Sequence, residues 1–312
     1  MNHNPVLPTS SSASAFAHSA VIADLEPDFA RMVDRAMAAV LSGDTKPDTV
    51  FGNCAGLVSM ARSVSFHEGK LLEWGVIRIA ACNPDLLVMP QDKPMPVVPA
   101  ALEFLERNEW SKLEGIRLRS EVHSKKTYTP DIVLVNRKRH SALIVDMKRS
   151  LASYAEHRLE TLRQRMMAVA LVAADWLYVE RKAPFVSEVG IAVIDGSDEA
   201  SDHSRGVFGL SEIGDLLEIA GAGAAMMHLR AMFAARVREE LERQCRAVIV
   251  ETEPTSCLCG GRTAAEQPFF GDEAEADLVG PDIIHPGEAR IRRTSEIDAR
   301  VKVGFARTRA SP

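Results

Sequence analysis

The sequence predicts an α/β fold, and three observations carry that expectation. Residues 131–136 (DIVLVN) and 141–148 (SALIVDMK) are two short apolar runs separated by the polar Arg137-Lys138-Arg139-His140. Runs that are apolar at successive positions belong to strands buried on both faces. Long segments with apolar residues at helical spacing stand on either side of this pair.

Composition bounds the problem. Hydrophobic residues make up 46% of the 312, enough to bury a sizeable core. Aromatics are only 5%, so that core is expected to be built of Ala, Val, Leu, Ile and Met. The net charge of −6 excludes indiscriminate coating of polyanions by the whole surface. Residues 113–165 nevertheless hold 12 Lys or Arg against 6 Asp or Glu, a local excess of +6, which marks a surface suited to phosphates. The 5 cysteines form no even framework, so a reducing, cytoplasmic setting is expected. Cys257 and Cys259 form a lone C-x-C with no second ligand pair at zinc spacing. No apolar run approaches the roughly 20 residues of a membrane span, and the N-terminal segment lacks the basic and apolar regions of a signal peptide.

The elements follow in order. Residues 1–25 are Ser-rich and Pro-containing and are expected to form a flexible arm. Phe29, Met32, Val33, Ala36 and Val40 predict a helix over 28–41, ended near Gly43. A longer helix covers 54–82 and stops at Asn83-Pro84. Residues 89–99 hold four prolines and read as a loop, followed by a short helix at 99–108. Alternation of Ile116 and Leu118 with Arg117 and Arg119 predicts a strand over 115–122. The two apolar runs then form a hairpin with a four-residue loop at 137–140. A helix over 151–174 leads to strands at 176–179 and 188–195. Residues 211–247 return to helix, where Met226, Leu229, Met232, Phe233, Val237 and Leu241 give a packing stripe. Residues 251–312 are expected to be a loosely ordered tail or appendage. One main domain over 26–250 is therefore expected, with its core at 67–195.

The chemistry lies in the hairpin. With the loop at 137–140, Asn136 faces Ser141, Val135 faces Ala142, and Val133 faces Ile144. The same antiparallel register sets Asp131 opposite Asp146. Directly opposed residues have Cβ atoms about 4.5–5.5 Å apart, so these carboxylates repel one another among apolar neighbours. A divalent cation such as Mg²⁺ or Mn²⁺ removes that repulsion and makes the pair a ligand set. Lys148 shares a strand face with Asp146 and can position a water and offset phosphate charge. Two acidic groups and an adjacent cation are what phosphodiester hydrolysis needs.

Pro130-Asp131 followed by Asp146-Met147-Lys148 resembles the PD-(D/E)xK, or restriction-endonuclease-like, nuclease superfamily. The resemblance covers about 67–195. It implies an αβββαβ core, a mixed central sheet flanked by helices, with extra N- and C-terminal helices outside it. It implies Asp131 and Asp146 as metal ligands, Lys148 as the catalytic cation and the Met147 carbonyl as a further ligand. Many members add an acidic residue from the preceding helix. Glu73, in Gly69-Lys70-Leu71-Leu72-Glu73, fits best, with Glu68 and Glu121 as alternatives. The following helix often brings a Gln or Tyr near the site, here Gln164 or Tyr154. Arg137, Lys138, Arg139, Arg149, Arg158 and Gln164 are candidate nucleic-acid contacts, beside His157, Arg163 and Arg165.

The expected function is a Mg²⁺- or Mn²⁺-dependent hydrolase of phosphodiester bonds, with DNA the expected partner, no membrane association and homo-oligomerisation left open. The alternative is a non-catalytic nucleic-acid-binding or assembly module of similar fold. Duplex or single strand, DNA or RNA, and endo- or exonucleolytic cleavage stay open.

Overall fold

All five residues of Ile132–Asn136 are buried, as a strand covered on both faces requires. The computed structural model describes residues 16–43, 48–110, 113, 115–116, 118–120, 124–152, 154–199, 201–252 and 301–307, and structural statements concern these residues.

In chain order the elements are β1 (His18–Ser19), α1 (Ile22–Leu41), α2 (Ala55–Ala80), β2 (Leu86–Met89), β3 (Met95–Pro96), α3 (Pro99–Arg107), β4 (Thr127–Tyr128), β5 (Ile132–Asn136), β6 (Ser141–Lys148), α4 (Glu156–Arg181), β7 (Glu188–Asp195), β8 (Val207–Gly209), α5 (Ile213–Leu217), β9 (Ile219–Ala220), α6 (Ala222–Thr252) and β10 (Lys302–Phe305).

The central sheet is mixed. β2 and β5, and β5 and β6, pair antiparallel. β6 and β7 pair parallel along eight positions. β10 then lies parallel along the first half of β7 and β8 along its second half. Val133, Val135, Ala142, Ile144, Ile191 and Val193 face one layer, against α3 and α4. Ile132, Leu134, Val145, Met147, Ala192 and Ile194 face the other, against α1, α2 and α6. The chain is thus α/β with a mixed sheet between two helical layers. From α2 onward its main path runs helix, three antiparallel strands, helix, strand, with β3, α3 and β4 inserted between β2 and β5. Among the described residues, no helix is long and apolar enough to cross a membrane.

Several expectations are corrected. The first strand of the sheet is Leu86–Met89, and the described residues of 115–122 form no strand. Ile116 and Leu118 do turn toward the core, but the Leu118 N–H donates to the Leu171 carbonyl at 3.2 Å instead of to a strand. Residues 176–179 belong to α4. Their aromatic and β-branched types suggest a strand, yet Trp176 and Leu177 are buried while Tyr178 is 61% exposed, which is helical periodicity overriding propensity. The 211–247 helix is broken: Glu218 takes a left-handed conformation at φ 58° and ends α5, and α6 starts at Ala222. α1 starts at Ile22, with Pro27 inside it. The 1–25 arm is thus ordered from β1 onward, while residues 1–15 lie outside the described residues.

Within the expected tail, Val301 and Val303 are buried and β10 joins the sheet. That approach depends on Gly190, where a Cβ would meet the Ala306 Cα at 3.3 Å. Residues 253–300 and 308–312, including Cys257 and Cys259, lie outside the described residues, as does Glu121.

Candidate active site

The hairpin fixes the acidic pair. Ile132 faces Val145, Val133 faces Ile144, Val135 faces Ala142 and Asn136 faces Ser141, the register the loop length demands. Asp131 immediately precedes β5, at the level of Asp146, but it is not a ladder residue. Its Oδ2 accepts the Met147 N–H at 2.7 Å. Burial raises the Asp131 pKa, and the Asp146 charge raises it further, against the Met147 N–H that lowers it.

Asp146 is 4% exposed. It lies on the α4 face of β6, continuing the Ala142 and Ile144 side, as does Lys148 two residues on. The Lys148 ammonium pairs with Asp146 Oδ1. Oδ1 is buried against that ammonium. Burial works against the Lys148 charge, but Asp146 and Asp131 outweigh it and its pKa is raised. Tyr128, on β4, donates from its hydroxyl to Asp146 Oδ2 at 2.5 Å. Burial first, then the Asp146 charge, pushes the Tyr128 pKa upward, so it stays a donor.

The third carboxylate is Glu73. Burial raises its pKa, the Lys70 bond opposes that, and the charges of Asp131 and Asp146 raise it again. Glu73 therefore lies within the electrostatic reach of both aspartates. Lys70, one helical turn earlier, donates to Glu73 Oε1 and Oε2 at 2.9 and 3.0 Å. Glu68 is engaged elsewhere: its Oε1 accepts from Arg230 Nε at 2.9 Å, and Oε2 lies 3.8 Å from Arg149.

The Met147 backbone also faces this cluster. The Lys148 carbonyl accepts from Gly196 N at 2.7 Å and so points toward β7. Backbone groups of successive strand residues point to opposite sides, which turns the Met147 N–H and carbonyl toward Asp131.

The other candidates separate by position. The loop 137–140 is at the far end of the hairpin, about 20 Å from Asp146 at roughly 3.3 Å per residue. It is occupied there: Arg137 donates to the Pro84 carbonyl at 2.5 Å and Arg139 pairs with Glu218 at 2.7 Å. Arg137, Lys138 and Arg139 therefore do not line the acidic cluster. Arg163, 2% exposed and paired with Glu156 and Glu160, is a buried anchor and not a phosphate contact. Arg149 is half-exposed beside Glu68, Arg158 and His157 are exposed on the first turn of α4, and Gln164 is half-buried. Tyr154 precedes α4 and acts electrostatically on Lys148, and exposed Arg165 acts on the Tyr128 hydroxyl.

Three contributors escaped the sequence reading. Tyr128 left no usable signal beyond standing three residues before Asp131. Lys70 was legible as the i−3 partner of Glu73. Asp195 ends the apolar β7 run as Asp146 interrupts β6, and it aligns with Lys148 in the parallel register. Its Oδ1 accepts from Leu151 N at 3.1 Å and Ser197 Oγ at 2.8 Å, which anchors the connection leaving Lys148.

Comparison of the chain with family models, with curated proteins and with solved structures finds no match.

Among the described residues, no three His, Cys, Asp or Glu side chains stand as a ready-made cation cage. Lysine ammonium groups lie against Asp146 and Glu73, and a backbone N–H holds Asp131. The donor set still suits a hard divalent cation. It is all oxygen, and burial first, then the charges of neighbouring carboxylates, raises the Asp131 and Glu73 carboxyls.

Proposed function

We propose that this protein is a metal-dependent phosphodiesterase acting on nucleic acid, with a restriction-endonuclease-like core. The observation that carries the reading is the buried Asp146, shared by Lys148 and Tyr128 and repelled by Asp131. Holding like charges together in a nearly dry site is costly, and structural stability gains nothing from it. The order of α2, β2, β5, β6, α4 and β7 also matches the αβββαβ path that this family's motif accompanies.

Asp131, Asp146, Glu73 and the Met147 carbonyl would hold Mg²⁺ or Mn²⁺, which supplies charge neutralisation at the phosphate and a hydroxide nucleophile near neutral pH. Lys148 stands against Asp146 on the same strand face. It acts as a donor that orients water and offsets phosphate charge. Tyr128 fixes the orientation of the Asp146 carboxylate. Lys70 does the same for Glu73. Arg149, exposed next to Lys148 in the chain, and Arg158, exposed on the first turn of α4, are the candidates to meet the phosphate backbone.

The test incubates the pure full-length chain with Mg²⁺ or Mn²⁺ and plasmid, linear duplex, single-stranded DNA and RNA. Cleavage of at least one substrate that falls a hundredfold or more in Asp146→Asn is the expected result. Absence of cleavage on all of them, or equal cleavage by the variant, overturns the reading.

One observation favours the non-catalytic alternative: Lys148 and Lys70 already compensate Asp146 and Glu73 without an added ion. Calorimetric titration with Mn²⁺ separates the two, since a binding module shows no metal affinity that Asp146→Asn removes.

A further inference from the structure

Away from the acidic cluster, a groove of about 520 Å³ opens between the outer faces of α1 and α2. That volume falls within the range of small-molecule clefts, about 300–1,000 Å³. Its charge is lopsided: Arg31, Arg35 and Arg78 line it against Asp28 alone. Asp28 pairs with both Arg78 and Arg31, gathering two guanidinium groups at one place with a single negative charge between them. Arg35 is exposed, and among the described residues it has no ion-pair partner. Its guanidinium carbon lies over the Trp74 ring, 4.6 Å from the centroid. Trp74 is half-buried, so the indole is anchored while the Arg35 stem can move.

An excess of cations calls for an anion. A fixed indole under a movable planar cation calls for a flat aromatic group on the same ligand. A nucleotide has both. The bases of an intact duplex are stacked on each other and cannot use the indole. Trp74 also follows Glu73 directly in α2, turned from it by about 100° around the helix.

We propose that this groove binds one unpaired nucleotide of a single-stranded nucleic acid, with the base stacked on Trp74 and Arg35 and the phosphate held by Arg31 and Arg78. The choice of a nucleic-acid strand over another aromatic anion rests on the reading of the acidic cluster. Binding itself requires no cleavage.

The experiment measures fluorescence anisotropy of a fluorescein-labelled oligo-dT with the full chain in EDTA, so that cleavage does not intervene. Arg35→Ala, an exposed change that leaves the fold intact, and Trp74→Leu are each expected to weaken binding about tenfold. Trp74→Phe, which keeps an aromatic face, is expected to recover most of it. A duplex of the same sequence is expected to bind without regard to Trp74. Equal affinity for oligo-dT in Arg35→Ala and wild type overturns the proposal. So does competition by poly-glutamate as effective as that by unlabelled oligo-dT, which would make the groove a general anion site. Trp74-dependent binding without Mg²⁺-dependent cleavage would remove the nuclease reading alone. Cleavage with no loss of binding in either variant would remove the groove alone.

Discussion

The Tyr128 hydroxyl donates to Asp146 Oδ2 at 2.5 Å, tying a two-residue strand to a carboxylate on the central strand 18 residues later. A hydrogen bond to a buried charge contributes about 1.5–3 kcal/mol. Tyr128→Phe removes the donor and little volume. It is expected to lower stability by about 1–2 kcal/mol in urea unfolding and to cut the cleavage rate about tenfold with KM little changed. An unchanged rate would take Tyr128 out of the site.

Asp131 carries a pH signature. Burial, then the Asp146 charge, holds its carboxyl above the ordinary carboxylate range, and Glu73 is raised in the same direction. The folded chain therefore binds these protons more tightly than the unfolded chain. Their contribution is fully present below the ordinary carboxylate pKa and is lost as pH rises through the raised folded value. Asp131→Asn removes one such loss, and its amide oxygen can still accept from Met147 N–H. In EDTA at neutral pH the variant is expected to melt higher than wild type, by about 2–4 °C for relief on the order of 1 kcal/mol. The difference should shrink as pH falls into the carboxylate range. A lower Tm for the variant at neutral pH would refute this account.

Glu73 and Glu68 should behave oppositely. Glu73→Gln removes a charge whose burial is unfavourable, so folding is expected to be unimpaired while cleavage drops by at least tenfold. Glu68→Gln weakens the tie to Arg230 at 2.9 Å and to Arg149. That is expected to cost about 1–2 kcal/mol, with cleavage per folded molecule changed less than twofold. Thermal melts alongside initial rates check both. The reverse pattern would make Glu68 the acidic partner.

Gly196 sets the spacing at the Lys148 end of the sheet. A Cβ there would lie 2.9 Å from the Arg149 carbonyl oxygen and 3.0 Å from that of Lys148. Backbone must move to admit it. Gly196→Ala is expected to cost about 1–3 kcal/mol and to slow cleavage by shifting Lys148. A variant as stable and active as wild type would show that this junction yields freely.

Much of the central architecture was legible. The hairpin register follows from loop length and from two runs whose apolar residues alternate between two buried faces, and the observed pairs agree with it position by position. The helices over 55–80, 99–107 and most of 22–41 follow from periodicity and proline stops. Leu86–Met89 was not legible as a strand, since four apolar residues between a proline turn and a proline-rich loop carry no periodicity of their own. Residues 176–179 misled because local β-propensity opposed a helical burial pattern that only packing against the sheet enforces.

The sequence by itself determined which carboxylates meet. Antiparallel pairing has a period of two and the loop has four residues, so Asp131 and Asp146 must come level and Lys148 must share the face of Asp146. Only the tertiary structure decided what surrounds them. Tyr128 reaches Asp146 from an insertion, Glu73 and not Glu68 turns toward the pair, and the basic hairpin tip lies at the opposite end of the sheet. Those choices depend on how helices and loops far apart in the chain pack over the sheet, and local spacing carries no information about distances between elements.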